Sequence, residues 1–127
     1  MIDKETEIFK AVSTALRENF KSIYVIGAEM SPVPPRFPAV SFVQTNNAVK
    51  AEFSTFDSLE NVVSEDYKAE VFSNLETGKE AQTKEITAVI SDVMSNLGYE
   101  RTFCEIVPNN DSTVNRRMSR YRKNNTI

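Results

Sequence analysis

A chain of 127 residues, 40% of them hydrophobic and 26% charged, has the balance of one globular domain and can bury a core without staples. It has no histidine and one cysteine, Cys104, which excludes Ser-His and Cys-His nucleophile pairs, the usual zinc ligand sets and an intrachain disulfide. The net charge of -3 is lopsided: residues 1–100 carry 9 Lys/Arg against 16 Asp/Glu, and residues 101–127 carry 6 against 2.

The first element is a helix over about residues 3–20. Ile8, Ala11, Val12, Ala15, Leu16 and Phe20 recur at spacings of three and four, which makes one apolar stripe. Asp3 is placed to cap its start, and Asp3, Glu5 and Glu7 suit the positive end of the helix dipole. The charged N-terminus lacks an apolar signal core, so export by a standard signal is not expected and the chain is read as made in a reducing cytoplasm. No apolar run approaches the ~18 residues needed to span a bilayer, and no membrane partner is expected.

Ile23-Tyr24-Val25-Ile26 is a short β-rich run ended by Gly27. Four prolines between Pro32 and Pro38 forbid a helix and predict an extended connection into a strand that begins at Ala39. The stretch from 46 to 61 is polar and acidic, and a connection of that length is long for a hairpin, whose loops are normally about 2 to 5 residues. It reads as a protruding or mobile arm, with Phe53 and Phe56 as its partner-binding anchors.

A third strand spans 62–74. Tyr67, Ala69 and Val71 take one face; Lys68, Glu70 and Phe72 take the other, and Phe72 predicts cover on both sides near the strand's end. Thr77 with Glu80 has the form of a capping box for a second helix running to Leu97, with Ile86, Val89, Ile90, Val93 and Leu97 as its buried stripe and Gly98 as its stop. Two strands follow, 99–107 and 113–123, joined by turn formers at Pro108–Ser112. In the last, Val114, Arg116, Met118, Arg120 and Arg122 share one side and Asn115, Arg117, Ser119 and Tyr121 the other, neither apolar enough for full burial. Residues 124–127 read as a frayed tail.

The two helix stripes need a shared partner, and the sheet supplies it. The expected fold is therefore α+β: one domain over 1–127, a mostly antiparallel sheet of four or five strands, and two long helices packed on one face. The three glycines, at 27, 78 and 98, make no phosphate-binding loop. Asp57, Glu60, Glu65 and Asp66 form an acidic cluster without the alternation and central glycine of a calcium loop, so no metal or cofactor is expected. With no catalytic set in view, the chain does not read as an enzyme. Arg116, Arg117, Arg120, Arg122 and Lys123 concentrate five cations in eight residues beside Tyr121. They fit an interface with acidic residues of a neighbouring copy, Glu60, Glu65 and Asp66 first among them, or contact with nucleic acid.

A set of elements from position 24 on resembles the tail terminator and tail completion proteins of the head-to-tail neck of long-tailed bacteriophages. They are the lead Phe37-Pro38-Ala39-Val40, the strand Tyr67–Asn74, Gly78-Lys79, Leu97-Gly98-Tyr99 with Arg101-Thr102-Phe103, Val107-Pro108-Asn109, and Arg117–Arg122. The resemblance implies a virion protein of the tail or neck, made in the host cytoplasm. It implies a homo-oligomeric ring, a hexamer, on the head-proximal end of the tail tube, which stops tube polymerisation and meets the head connector or stopper, with DNA only as passing genome. Another neck component, a head-tail joining or stopper protein, and a small bacterial regulatory domain are the alternatives.

Overall fold

The computed structural model describes residues 4–29, 34–49, 62–109 and 112–126. In chain order the elements are α1 (Glu5–Asn19), β1 (Tyr24–Ile26), β2 (Ala39–Val49), β3 (Val62–Ser73), α2 (Lys79–Asn96), β4 (Glu100–Val107) and β5 (Asn115–Thr126). The five strands form one sheet in the order β1-β2-β3-β5-β4.

The sheet is mixed, which corrects the mostly antiparallel expectation. β1 lies parallel to β2, with Tyr24, Val25 and Ile26 opposite Ala39, Val40 and Ser41, while the other three pairings are antiparallel. The cause is the connection. A parallel neighbour needs a crossover of about a dozen residues, and the proline-bearing stretch between Ile26 and Ala39 has that length. Its described end carries a cis Phe37–Pro38 peptide, and the Tyr24 amide donates to the Pro38 carbonyl at 3.0 Å.

Both helices, of 15 and 18 residues, pack on one face, as their stripes require. From α1 come Ile8, Val12 and Leu16; from α2 come Ile86, Ile90 and Met94. They meet Val40, Phe42, Tyr67, Ala69, Val71, Tyr99 and Tyr121 of the sheet side in one buried cluster. The α2 stripe is centred one step away from the predicted one: Thr83, Ile86, Thr87, Ile90 and Met94 are buried, while Val89, Val93 and Leu97 pack at its margin. Phe42 stacks on Tyr67 at 5.3 Å between centroids, and Tyr99 meets Tyr67 edge-on at 5.4 Å. Phe72 faces the other way into a second small cluster with Ala39 and Val114, so β3 is covered on both sides at that end as expected.

The helix ends follow local chemistry. No side chain caps α1, whose N-cap is Lys4, and the Asp3 cap expectation lies outside the described residues. The Thr77–Glu80 capping box does not form. Gly78 is the N-cap of α2 at φ 88°, a left-handed conformation that displaces Thr77 from the cap position. At the other end Gly98 has φ 89°, its amide donates to Ser95 O at 3.0 Å, and the Tyr99 amide donates to Met94 O at 2.8 Å. This double closure is the stop predicted for Gly98. Lys123 reinforces it, its Nζ donating to Leu97 O at 2.7 Å. β5 continues through Asn124, Asn125 and Thr126 opposite Ser64, Val63 and Val62, in place of the frayed tail that its polar composition predicts.

Burial pushes the phenols of Tyr67 and Tyr121 above their ordinary value. Lys68 is also raised: burial works against its charge, and hydrogen bonds to Glu29 and Glu70 outweigh it. The folded state therefore keeps protons that the unfolded chain releases above about pH 10. These contributions are intact below that pH and are lost as pH rises through it. The urea midpoint is expected to hold from pH 8 to 9 and then fall, and Tyr121→Phe is expected to flatten the fall. A midpoint indifferent to pH between 9 and 11 contradicts this.

Candidate interface on the open sheet face

The face of the sheet without helices is where the cross-strand register brings the charges together. β3 and β5 run as twelve unbroken rungs from Val62↔Thr126 to Ser73↔Asn115. On the open face they set Phe72 beside Arg116, Glu70 beside Met118, Lys68 beside Arg120 and Asp66 beside Arg122.

Glu70 is the hub, with its side chain 2% exposed. Arg116 ion-pairs with it, and Lys68 Nζ lies 3.2 Å from its other oxygen. Lys68 also reaches Glu29 at 2.6 Å. Arg116 in addition lies over the Phe72 ring at 5.6 Å. A buried carboxylate held by two cations is costly to strip on one side, since the remaining charges are left uncompensated. Further along, Asp66 accepts from Arg122 Nε at 2.7 Å and Nη2 at 3.3 Å, while Asn46 Nδ2 donates to the same carboxylate at 3.3 Å. Arg122 is 62% exposed, so that pair is screened by solvent.

Arg117 points to the helix side. Its Nε donates to Thr83 Oγ1, which also donates to Asn115 Oδ1. Ser119 and Tyr121 share that side and are buried at 1% exposure each, while Asn115, Arg117 and Lys123 there are only partly buried, so neither side of β5 is wholly covered. Tyr121 OH and Ser91 Oγ share a 2.8 Å hydrogen bond. Of the sequence-predicted arginines, only Arg120 is exposed with no ion pair among the described residues. Glu65 is fully buried: its Oε2 accepts from Tyr99 OH at 2.8 Å and Tyr67 OH at 3.3 Å, and its Oε1 has no partner among the described residues. Asp66 already holds Arg122 of the same chain. Neither acid is thus offered to a neighbouring copy as a bare exposed charge. Phe53, Phe56 and Glu60, and the arm from 50 to 61, lie outside the described residues, while 46–49 form the end of β2.

Sequence reasoning missed Glu70, Lys68 and Glu29 as partners of the basic strand. The parity of β3 held the signal for Glu70, which shares a face with Lys68 and Phe72, but only the register shows Arg116 above it. The described residues hold no cluster of metal-ligating side chains and no helix long and apolar enough to cross a membrane.

No family model matches the chain, and no curated protein does. Among solved structures it is similar to the PVC sheath/tube terminator of an extracellular contractile injection system in its extended state. The TM-score is 0.53 at 10% sequence identity, covering 100% of this chain and 58% of that one. The chain has a terminator-like fold. It spans 58% of the length of that neighbour.

Glu70→Ala is expected to lower stability by about 3 kcal/mol, because two cations lose their buried partner. Arg120→Ala is expected to leave the urea midpoint almost unchanged, since Arg120 is exposed and has no ion pair among the described residues. Equal effects of the two substitutions would show that the Glu70 hub carries no special weight.

Proposed function

We propose that this chain is a tail-terminator protein of a phage or phage-like particle. Copies form a ring, a hexamer, on the head-proximal end of the tail tube; the ring stops tube polymerisation and presents a surface to the head connector or stopper. The observation that carries the reading is the terminator-like fold, matched over the whole chain. It agrees with the resemblance of the second half of the sequence to neck proteins. The chain acts by contact, not catalysis: it has no histidine, and Lys68, Glu70, Arg116, Asp66 and Arg122 on the open face hold one another. The site of action is the tail or neck of the particle, and DNA is only passing cargo. The internal neutralisation of Arg116 and Arg122 speaks against a nucleic-acid groove, which needs cations free for phosphate.

In this reading the arm contacts the tube or a neighbouring copy through Phe53 and Phe56, and Arg120 is the cation of the basic strand that remains for a partner. Truncating one aromatic anchor at an interface costs roughly 2 kcal/mol or more. Mixing the protein with growing tail tubes is expected to arrest their length and leave rings at one end, seen by negative-stain microscopy. Phe53→Ala with Phe56→Ala is expected to keep the fold, by circular dichroism, and to lose tube binding. Tubes that grow unchecked past bound or unbound protein would sink the terminator reading.

A further inference from the structure

The two free edges of the sheet end on the same rows. Tyr24 stands opposite Ala39, Ala39 opposite Phe72, Phe72 opposite Arg116, and Arg116 opposite Val107. The next row runs from Val25 through Val40, Val71 and Arg117 to Ile106, and the third from Ile26 through Ser41, Glu70 and Met118 to Glu105. The three-residue strand β1 at one edge is therefore level with Glu105–Val107 at the other. The chain of pairings also makes β1 and β4 run in opposite directions. A second copy in the same orientation can lay its β1 against β4 as an antiparallel neighbour without any slip along the strands.

We propose that this edge-to-edge pairing, β4 of one copy with β1 of the next, is the interface that joins copies of this chain. The proposal rests on the reading that copies assemble into a ring, and names the contact that would build it. Edge strands are normally blunted with charge, bulges or short length. β4 is blunted at its first half, by Glu100, Arg101 and a register shift between Arg101 and Phe103. Its second half carries Ile106, 45% exposed on the helix side, and the half-buried Val107 on the open side. In the paired sheet Val25 of the next copy covers Ile106, and Tyr24 of the next copy covers Val107. Apolar thus meets apolar on both faces. Charge agrees as well. Arg36 is exposed and lies over the Tyr24 ring at 5.7 Å, and Glu105 is exposed on the same open side two residues from Val107; neither has an ion pair among the described residues. The pairing brings that arginine diagonally across to that glutamate. The two edges differ, so the contact is heterologous and repeats around an axis rather than closing on two copies.

Cysteine pairing tests it directly. Residues opposite one another in an antiparallel ladder lie within the Cα spacing of about 4.4–6.8 Å that a disulfide bridges. With Cys104→Ser as background, Val25→Cys combined with Ile106→Cys is expected to give a ladder of covalent oligomers on a non-reducing gel after mild oxidation, while each single cysteine gives none. Ile106→Lys, at an exposed position, is expected to stay folded and lose the oligomer in sedimentation. Arg36→Glu is expected to lose it too, and adding Glu105→Arg to restore it. Oligomers that form normally in Ile106→Lys, or that form but yield no ladder in the double cysteine protein, overturn this interface and leave the ring reading standing. Covalent dimers from Ile106→Cys alone show a two-fold β4–β4 contact and overturn it as well. A chain that stays monomeric alone and with tail tubes overturns both.

Discussion

Everything on this sheet takes its position from the unbroken ladder between β3 and β5. Twelve rungs without a register shift decide that Glu70 meets Arg116 and that Asp66 meets Arg122. They also decide that Tyr67 and Tyr121 stand side by side under the helices. A slip by one residue would exchange the faces of every side chain involved. It would put the aromatic pair in water and the arginines in the core. The hydrophobic pattern of β3 on the helix side and the ion pairs on the open side thus enforce one another.

That double constraint explains the mixed composition of this surface. The C-terminal quarter of the chain is basic, but the strand that carries most of its cations is not a bare cationic patch. Lys68, Glu70 and Glu29 belong to the acidic body of the sequence, yet they are woven into the same face as Arg116. Among the described residues, what has no ion pair on this face is Arg120 in its middle and Arg36 and Glu105 near the two edges. Such charges set orientation more than they add affinity.

The order of helices and strands was legible because periodicity is a local property. Ile8, Val12 and Leu16 announce a helix face from their spacing alone, and Gly98 announces its end to the neighbouring one. Burial of Glu65 was legible in principle: it shares parity with Tyr67, Ala69 and Val71, and so must point the same way. Its proximity to other acids in the sequence pulled the reading toward a surface cluster instead. The parallel placement of β1 was not legible, since three residues carry no pattern that distinguishes one neighbour or direction from another. The same holds for the salt bridges. Glu70 and Arg116 are 46 positions apart, and nothing short of the register joins them. The capping box failed for a local reason, because Gly78 can adopt a left-handed turn that starts the helix two residues after Thr77.

The sheet also has two irregularities at one level. β2 shifts register between Gln44 and Asn46, next to Tyr67, and β4 shifts between Arg101 and Phe103, next to Tyr121. Thr45, the residue passed over in β2, donates its hydroxyl to the Asp66 carbonyl at 3.2 Å. A bulge bends its strand and tightens the local twist. With one on each side of the continuous pair, the sheet has a crease, crossed intact only by β3 and β5. Beyond it lie the last residues of β2 and β5 and the first of β3. The orientation of those strand ends relative to the helix-covered part of the sheet is thus set by the crease. A load applied to the start of β3 is borne in shear along its ladder with β5, the longest continuous one among the described strands.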